Sequence, residues 1–243
     1  MNNIIKSFNV GLNVVQSIYE TQKDNIEKAG HLIALSRSTG NKFFVTGSGH
    51  SHTVAEEFYG RAGQLSFVTP ILNDELTLTN HPTKSTYLER LPGYAKILVE
   101  LYRIKEGDIV LIASNSGRNA YPVEMAYECK KVGAKVIAIT NMKHTTSVTS
   151  RHESNKNLYQ FADVIIDNCG EKGDASTYFN GVNVPMNPTS SIANAFICNA
   201  IAASVVEHLI QLNINPEVFY SANVDGGEEK NQELMDKYMR MYY

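Results

Sequence analysis

A loop rich in glycine, serine and histidine interrupts the stretch FFVTGSGHSHTVAEEF, residues 43–58. An apolar run leads into this loop, and a mixed polar and apolar pattern with two adjacent glutamates follows it. Such a loop can begin a dinucleotide cradle, a nucleophilic serine elbow, a metal site or a phosphate pocket. Its candidate ligand-contacting and proton-transfer residues are Gly47, Ser48, Gly49, His50, Ser51 and His52.

A second loop of similar composition, SNSGRN, occupies residues 114–119. Both loops lead into a predicted helix, where free N–H groups and the positive end of the helix dipole favour an anion. A third hydroxyl-rich helix start, PTSS, comes at residues 188–191, although Ser and Thr are also ordinary N-caps. The expected phosphate and substrate ligands are Ser114, Asn115, Ser116, Arg118 and Asn119, with Thr189 and Ser190 from the third start.

Hydrophobic patterning places these loops at one edge of an α/β fold. Short apolar runs alternate with helical patterns, and one helix separates the third and fourth runs, which indicates parallel strands with a right-handed crossover. We predict a three-layer sandwich with a parallel sheet of about five strands between helices. In such sheets ligands bind outside the carboxyl ends of the strands. The predicted strands are 42–46, 65–72, 108–114, 135–140 and 162–167.

Proline and glycine set the expected limits of several elements. Pro70 is expected at the end of the second strand because it has no N–H to donate. A helix is expected over residues 51–62, and Pro92-Gly93 is expected to bend or split the next helix. Asn180-Gly181 between alternating residues predicts a hairpin over residues 177–186.

The composition is typical of one ordinary globular domain. The chain has 243 residues and a formal charge of −3, which argues against a nucleic acid or an anionic membrane as partner. We expect neither a secretory signal nor a membrane span. Three cysteines without metal-ligand spacing indicate reduced thiols and a cytoplasmic location. Within the single domain we distinguish a helical region (1–40), an α/β core (41–212) and a C-terminal loop and helix (213–243).

The motifs TGSGHSH and ASNSGRN at two strand ends resemble those of the sugar isomerase (SIS) domain family. The phosphate loop of that family reads Ser-x-Ser-Gly-x-Ser/Thr. Ser114 and Ser116 match its two serines, whereas Asn119 replaces its third hydroxyl. The resemblance also covers AEEFYGRAG and the final long helix, and it points to phosphoheptose-like isomerases. It implies a flavodoxin-like SIS fold, a phosphorylated sugar as ligand, and sugar contacts from residues 47–51.

Other identities of the first loop fit less well. A dinucleotide site needs G-x-G-x-x-G, and His52 stands at its third glycine. The hydrolase elbow G-x-S-x-G fits four positions, but Thr53 replaces its last glycine. Some phosphoheptose isomerases bind zinc through a histidine where this chain has Thr53. We therefore expect no cofactor, although a rearranged zinc site that uses His52 stays open.

The resemblance also suggests catalytic groups. Aldose–ketose isomerisation needs a base that moves a proton between adjacent carbons and a group that shuttles a proton between O1 and O2. Glu57 matches the second glutamate of the family's AEE motif and is the predicted base. Its alternative role is a helix ion pair with Arg61. His50 and His52 are the predicted relay or ring-opening groups.

Several further residues stay unranked. His81 and His144 lie in loops on the expected ligand side, His152 could cover a substrate, and Asp225 could reach the site of a neighbouring subunit. Because the family typically assembles as dimers or larger, the resemblance implies a homodimer or homotetramer with sites near the subunit interfaces. The expected interface surfaces are the N-terminal helix and the tail residues Met235, Tyr238, Met239 and Tyr242.

Two alternatives to an isomerase remain open at this point. A phosphosugar lyase, etherase or deglycase would use the same pocket. A non-catalytic phosphosugar sensor would bind the ligand without changing it.

Overall fold

The computed structural model describes residues 2–79 and 81–238. Five strands form one parallel sheet in the order β2-β1-β3-β4-β5, which confirms the predicted α/β fold. The register places Gly47 beside Ala113, so that the first and third strands end side by side. The strands are β1 (Phe43–Gly47), β2 (Val68–Ile71), β3 (Ile109–Ala113), β4 (Lys135–Thr140) and β5 (Val164–Asp167).

Helices cover both faces of this sheet, as expected for a three-layer sandwich. Alternate residues of β1 face opposite layers, because Phe43 and Val45 pack in one hydrophobic cluster and Phe44 packs in the other. The first cluster joins the sheet to α1, α2 and α7, and the second joins it to α4 and α5. The helices are α1 (Asn3–Ser38), α2 (Thr53–Phe58), α3 (Lys84–Leu88), α4 (Tyr94–Leu101), α5 (Ala120–Lys131), α6 (Met142–Thr145), α7 (Ser190–Gln211) and α8 (Gly227–Tyr238).

Two expected element limits differ in the structure. Pro70 lies inside β2, opposite Val45, and not at the end of the strand. The sheet tolerates it because β2 is an edge strand with a single neighbour. The helix expected over residues 51–62 consists of one 3₁₀ turn and the six-residue α2, which ends at Phe58. Positive φ angles at Gly60 and Gly63 carry the chain away from the helix direction.

Other expected breaks and turns are confirmed. Gly93, with φ +92°, separates α3 from α4 and precedes the first residue of α4. Beyond the main sheet, β6 (Ala175–Thr177) and β7 (Met186–Pro188) form an antiparallel pair on either side of Asn180-Gly181. The hairpin turn therefore lies where the sequence predicts it, with a longer loop than a two-residue turn.

The helix α7 is long and apolar enough, by length and composition, to cross a bilayer. A helix that meets this test was not expected, since the sequence was predicted to have no membrane span. Half of its apolar window is buried, and its buried side chains pack against α1 and the sheet. The length and apolar composition of α7 are therefore explained by its position as a core helix of this fold.

The C-terminal helix α8 packs on the body of the protein through its last described residue. Tyr238 makes an edge contact with the Phe67 ring and accepts a hydrogen bond from Arg37. It also donates a hydrogen bond to Glu217. Tyr238 thus contributes to contacts within the chain, whereas the expected interface residues Met239 and Tyr242 lie outside the described residues.

Candidate functional site

The first loop, residues 47–52, leaves β1 in a tight turn. A Cβ on Gly47 would lie 2.3 Å from the Ser51 carbonyl oxygen, so this close approach requires glycine. Gly49 has φ +57° and begins a 3₁₀ turn that ends at His52. The Ser51 amide donates to the Ser48 carbonyl at 3.1 Å. The backbone of this loop is therefore folded back on itself, with the Ser48 side chain directed away from the turn.

The two histidines of the first loop have different surroundings. His50 is exposed. The His52 ring is held at both nitrogens, by the Gly49 carbonyl oxygen at 2.5 Å from Nδ1 and by Glu56 Oε1 at 3.1 Å from Nε2. On the following helix, Glu57 forms an ion pair with Arg61 at 3.4 Å, the alternative role considered for it.

The second loop, residues 114–119, follows β3 and leads into α5. The Gly117 amide donates to Ser114 Oγ at 3.2 Å, and Gly117 has φ +58°. A Cβ there would lie 2.9 Å from Thr145 Oγ1. Asn115 Oδ1 accepts a hydrogen bond from Asn168 Nδ2 at 2.9 Å. The conformation of this loop thus depends on glycine and on polar contacts from neighbouring strand ends.

Residues 141–157, which we call the bracing loop, hold the second loop from outside. The Arg151 amide donates to the Arg118 carbonyl at 2.7 Å, and the Leu158 amide, just after the bracing loop, donates to the Gly117 carbonyl at 2.8 Å. The Arg118 side chain in turn donates from Nε to the Thr149 carbonyl at 2.9 Å. Backbone contacts of this kind fix the direction in which the second loop presents its N–H groups.

A carboxyl group joins the first and second loops. Ser48 Oγ donates to Glu89 Oε2 at 2.6 Å, and Asn119 Nδ2 donates to Glu89 Oε1 at 2.5 Å. The Tyr121 amide donates to the Glu89 carbonyl at 2.8 Å, which fixes the backbone as well. Burial raises the pKa of the Glu89 carboxyl above its ordinary value, against the lowering effect of Ser48, Asn119 and nearby arginines.

Asn119 stands at the N-cap position of α5, yet its side chain does not cap the helix. Its amide is used in the site instead, because Nδ2 reaches Glu89 and Oδ1 accepts from Arg151 Nη1 at 2.6 Å. The residue that departs from the Ser-x-Ser-Gly-x-Ser/Thr pattern therefore has separate donor and acceptor partners. A single hydroxyl would have to serve both from one atom.

The third hydroxyl-rich helix start, at the beginning of α7, binds a carboxylate of the same chain. Asp174 Oδ1 accepts from the amides of Thr189 and Ser190 at 2.9 and 2.8 Å, and Ser190 Oγ donates to Oδ2 at 2.9 Å. Thr189 and Ser190 thus bind an anion, as their sequence suggested, but that anion is a carboxylate of the same chain. A substrate phosphate at this point would compete with Asp174.

The remaining histidines lie at different depths. His81 is exposed and its Nδ1 contacts Thr83. His152 is buried, with Nδ1 at 2.8 Å from Ser154 Oγ and its ring beside Tyr127. His144 is half-buried at the end of α6, where burial and then the charges of Lys172 and Arg118 lower its pKa. Asp225 is exposed on the C-terminal loop.

No group of three or more His, Cys, Asp or Glu side chains within residues 2–79 and 81–238 could hold a metal ion. His52 and Glu56 are close, with 3.1 Å between Nε2 and Oε1, and Thr53 stands one turn before Glu57. The first loop carries His50 and His52, and Glu56 of α2 lies beside the His52 ring.

Glu89, Asn168 and Arg151 are functional candidates that were not predicted from the sequence. Asn168 follows the last strand directly, so its place at the carboxyl end of β5 was a usable signal. Glu89 lies in a segment with no strand before it and no recognisable motif, and the residues it contacts are distant in sequence. The sequence offered no local signal for it.

Comparisons with known proteins identify the family. The SIS domain model matches residues 8–141. A UPF0309 protein of Halalkalibacterium halodurans is 44% identical over 227 residues, which cover 93% of this chain and 94% of that protein.

Two solved structures share the fold at low identity. Phosphoheptose isomerase GmhA from Neisseria gonorrhoeae has a TM-score of 0.54 and 15% identity, over 85% of this chain and 96% of that chain. The Vibrio vulnificus NanR protein complexed with ManNAc-6P has a TM-score of 0.54 and 12% identity, over 99% of this chain and 70% of that chain. With more than half of its length matched by the family model, this chain belongs to the SIS domain family.

Proposed function

We propose that this protein binds a phosphorylated sugar and catalyses its aldose–ketose isomerisation through an enediol(ate). The observation that supports this most directly is the meeting of the first and second loops at one sheet edge, bridged by Glu89. An isomerase of this kind needs an anchor for phosphate, polar contacts for the sugar and groups that transfer protons. Each of these three requirements has candidate residues at this edge of the sheet.

We place the phosphate at the second loop. Helix α5 is twelve residues long, and the Asn119 side chain does not cap it. In its first turn the Tyr121 amide donates to the Glu89 carbonyl and Pro122 has no N–H, so the anion would be bound by the Ala120 amide together with amides of the loop. Ser114 and Ser116 add hydroxyl donors. Arg118 and Arg151, whose backbones are hydrogen-bonded to each other, add two positive charges beside the loop.

We place the sugar against the first loop. Ser48 and Ser51 offer hydroxyls, and the close approach of Gly47 to the Ser51 carbonyl fixes the backbone that carries them. Glu57 is the proposed base for the carbon-bound proton, on the strength of the family motif. The exposed His50 is the proposed ring-opening group, whereas the His52 ring is engaged by Gly49 and Glu56 and stabilises the loop.

The structural neighbours support this class of ligand at the level of the fold. The Neisseria protein is named as a phosphoheptose isomerase, and the Vibrio protein holds a sugar phosphate. A complex with a sugar phosphate is equally consistent with binding without turnover, which is the other candidate function. A lyase, etherase or deglycase would differ in losing a substituent from the same enediolate.

A ligand screen followed by isotope exchange tests the proposal. Hexose, heptose and amino-sugar phosphates are first compared for thermal stabilisation, with inorganic phosphate and the unphosphorylated sugars as controls. The best ligand is then incubated in D2O and followed by NMR. Deuterium at C1 or C2 without loss of a substituent is expected. Loss of a substituent indicates a lyase or deglycase, and binding without exchange contradicts an enzyme of either kind.

Variants of the two loops locate the ligand. Ser116→Ala is expected to weaken phosphosugar binding about tenfold, because it removes a hydrogen bond to a charged group. Ser38→Ala, an exposed serine at the end of α1, is the matched control. Unchanged affinity in Ser116→Ala would contradict the phosphate position. Glu57→Gln is expected to abolish exchange while binding persists.

We further propose that the protein is a homodimer or larger assembly formed through α1. The first half of α1 exposes Phe8, Leu12 and Tyr19, each by about two thirds of its surface. A groove of about 420 Å³ between α1 and α7 continues this apolar surface beside Phe196, which is also exposed. A second copy of the chain can cover both the exposed side chains of α1 and the groove. The rim of the groove carries Lys23 together with glutamates, and charges of both signs suit an interface between identical chains.

A further inference from the structure

Glu89 has the contacts of a group that acts on a ligand bound between the two loops. One carboxyl oxygen of Glu89 accepts a hydrogen bond from the Ser48 hydroxyl of the first loop. The other oxygen accepts a hydrogen bond from the Asn119 side-chain amide of the second loop. The carboxyl group therefore lies between the two loops, next to the position of a sugar whose phosphate is bound at the second loop. The residue is half-buried, so a ligand can reach the carboxyl without crossing the core.

The groups around Glu89 allow it both protonation states. Burial favours the neutral acid, whereas Arg90 on the same segment and Arg151 of the bracing loop favour the carboxylate, as do the two hydrogen bonds. The balance raises the pKa of Glu89. A phosphate dianion bound at the second loop would repel the carboxylate and shift the balance further towards the acid. Substrate binding would thus favour the protonated form of Glu89.

We infer that Glu89 is the acid–base group that carries a proton between the two sugar oxygens in the isomerisation. This rests on the proposed function. As the base takes the C2 proton, the C2–H electron pair forms the C1–C2 double bond, and protonated Glu89 gives its proton to O1. The Glu89 carboxylate then takes the proton from the O2 hydroxyl as the C2 carbonyl forms and C1 is protonated by the base. No proton or electron is gained or lost overall.

Asn119 and Arg151 act as positioning residues for this step. Arg151 Nη1 donates to Asn119 Oδ1, which fixes the amide so that its Nδ2 points to Glu89. A serine or threonine at position 119 would be too short to keep both contacts. The departure from the family pattern at Asn119 is thereby explained as an adaptation to Glu89.

The experiment compares Glu89→Gln with the wild-type protein and with Glu100→Gln, an exposed glutamate of α4 as the matched control. Glutamine keeps the shape and can still bond to Ser48, but it cannot transfer the proton. We expect kcat to fall about 10²- to 10⁴-fold, with the Kd for the phosphosugar changed less than about threefold. The fall of kcat at alkaline pH in the wild type, where the acid is lost, is expected to vanish in Glu89→Gln.

Glu89→Asp is the second variant, because it keeps the acid but withdraws it by one methylene. It is expected to retain the alkaline fall of kcat at a reduced rate, even where Glu89→Gln does not fold. Wild-type kcat in Glu89→Gln overturns the inference and leaves the proposed function intact. A loss of binding and thermal stability with kcat unchanged shows a merely structural role and also overturns it. A wild-type protein that binds phosphosugars without turnover overturns both proposals.

Discussion

Asn168 Nδ2 and Asn115 Oδ1 are 2.9 Å apart, and this hydrogen bond ties the end of β5 to the second loop. Asn168 is almost completely buried, and its Oδ1 accepts from Asn141 Nδ2 at 3.2 Å and from the Gly170 amide at 3.1 Å. Three strand ends, those of β3, β4 and β5, are therefore joined by side-chain amides beneath the proposed phosphate position. The second loop is held in place before any ligand arrives.

Asn168→Ala is expected to lower the free energy of unfolding by about 1–3 kcal/mol, because it leaves buried partners of Asn168 unsatisfied. It is also expected to weaken phosphosugar binding, since Asn115 loses its anchor. Urea unfolding and calorimetric titration measure the two effects. Asn223→Ala, at an exposed asparagine, serves as the control, and equal behaviour of the two variants would contradict the proposed role of the network.

Gly117→Ala tests the crowding around the second loop. The added Cβ would lie 2.9 Å from Thr145 Oγ1 and 3.3 Å from Leu158 Cβ, in a backbone with φ +58°. Gly181→Ala is a matched control, because Gly181 has φ +82° with nothing within 4 Å of an added Cβ. Both variants carry the strain of the left-handed region, of about 1 kcal/mol. The additional loss of stability and ligand affinity in Gly117→Ala measures the crowding, and similar losses in both variants would argue against it.

Asp174→Ala should convert the third helix start into an open anion site. The amides of Thr189 and Ser190 lose their acceptor, and we expect a loss of about 1–2 kcal/mol in the free energy of unfolding. Inorganic phosphate should then restore more stability to this variant than to the wild type. Asp225→Ala, in an exposed loop, is the control for the change in net charge. Equal responses to phosphate would show that the site does not accept an external anion.

Asp163 should contribute to the acid sensitivity of the fold. Partial burial raises its pKa, but hydrogen bonds from Lys130 and the Val136 amide outweigh this and hold the pKa below its ordinary value of 3.8. A depressed carboxyl stabilises the native state above its unfolded pKa, and this contribution is lost as pH falls through the native pKa. Asp163→Asn is therefore expected to be less stable than wild type near neutral pH, with the difference shrinking below about pH 4. Urea unfolding across pH measures it, with Asp24→Asn as the exposed control.

Leu12→Glu tests the proposed interface on α1. The leucine is 65% exposed in the single chain, so a charge there should leave the fold intact but prevent burial against a second copy. Analytical ultracentrifugation is expected to show at least twice the chain mass of 27.0 kDa for the wild type and the single-chain mass for Leu12→Glu. Leu101→Glu, equally exposed on the opposite face of the sheet, should stay assembled. A monomeric wild type would contradict the proposal.

The parallel sheet and the approximate positions of its five strands lay within reach of the sequence, because each buried parallel strand is a short apolar run, whereas the strand order did not. The placement of the two loops at one edge of the sheet could also be predicted, since parallel strands have their carboxyl ends together. Pro70 was misplaced because the sequence does not say which strand lies at the edge of the sheet. Glu89 could not be predicted, because its meaning depends on Ser48 and Asn119, which only the tertiary fold brings within reach.

The hydrogen bonds from Ser48 to Glu89, from Asn119 to Glu89 and from Arg151 to Asn119 join residues that are 41, 30 and 32 positions apart. These separations are shorter than that of the pairing between β1 and β3, in which Phe43 lies opposite Ile109, so forming the site needs no longer loop closure than forming the sheet. A nascent chain that ends before residue 151 has the loops but not this connection. Sugar phosphate affinity should therefore need the chain up to at least Arg151, so that binding during synthesis reports the arrival of the bracing loop at the site.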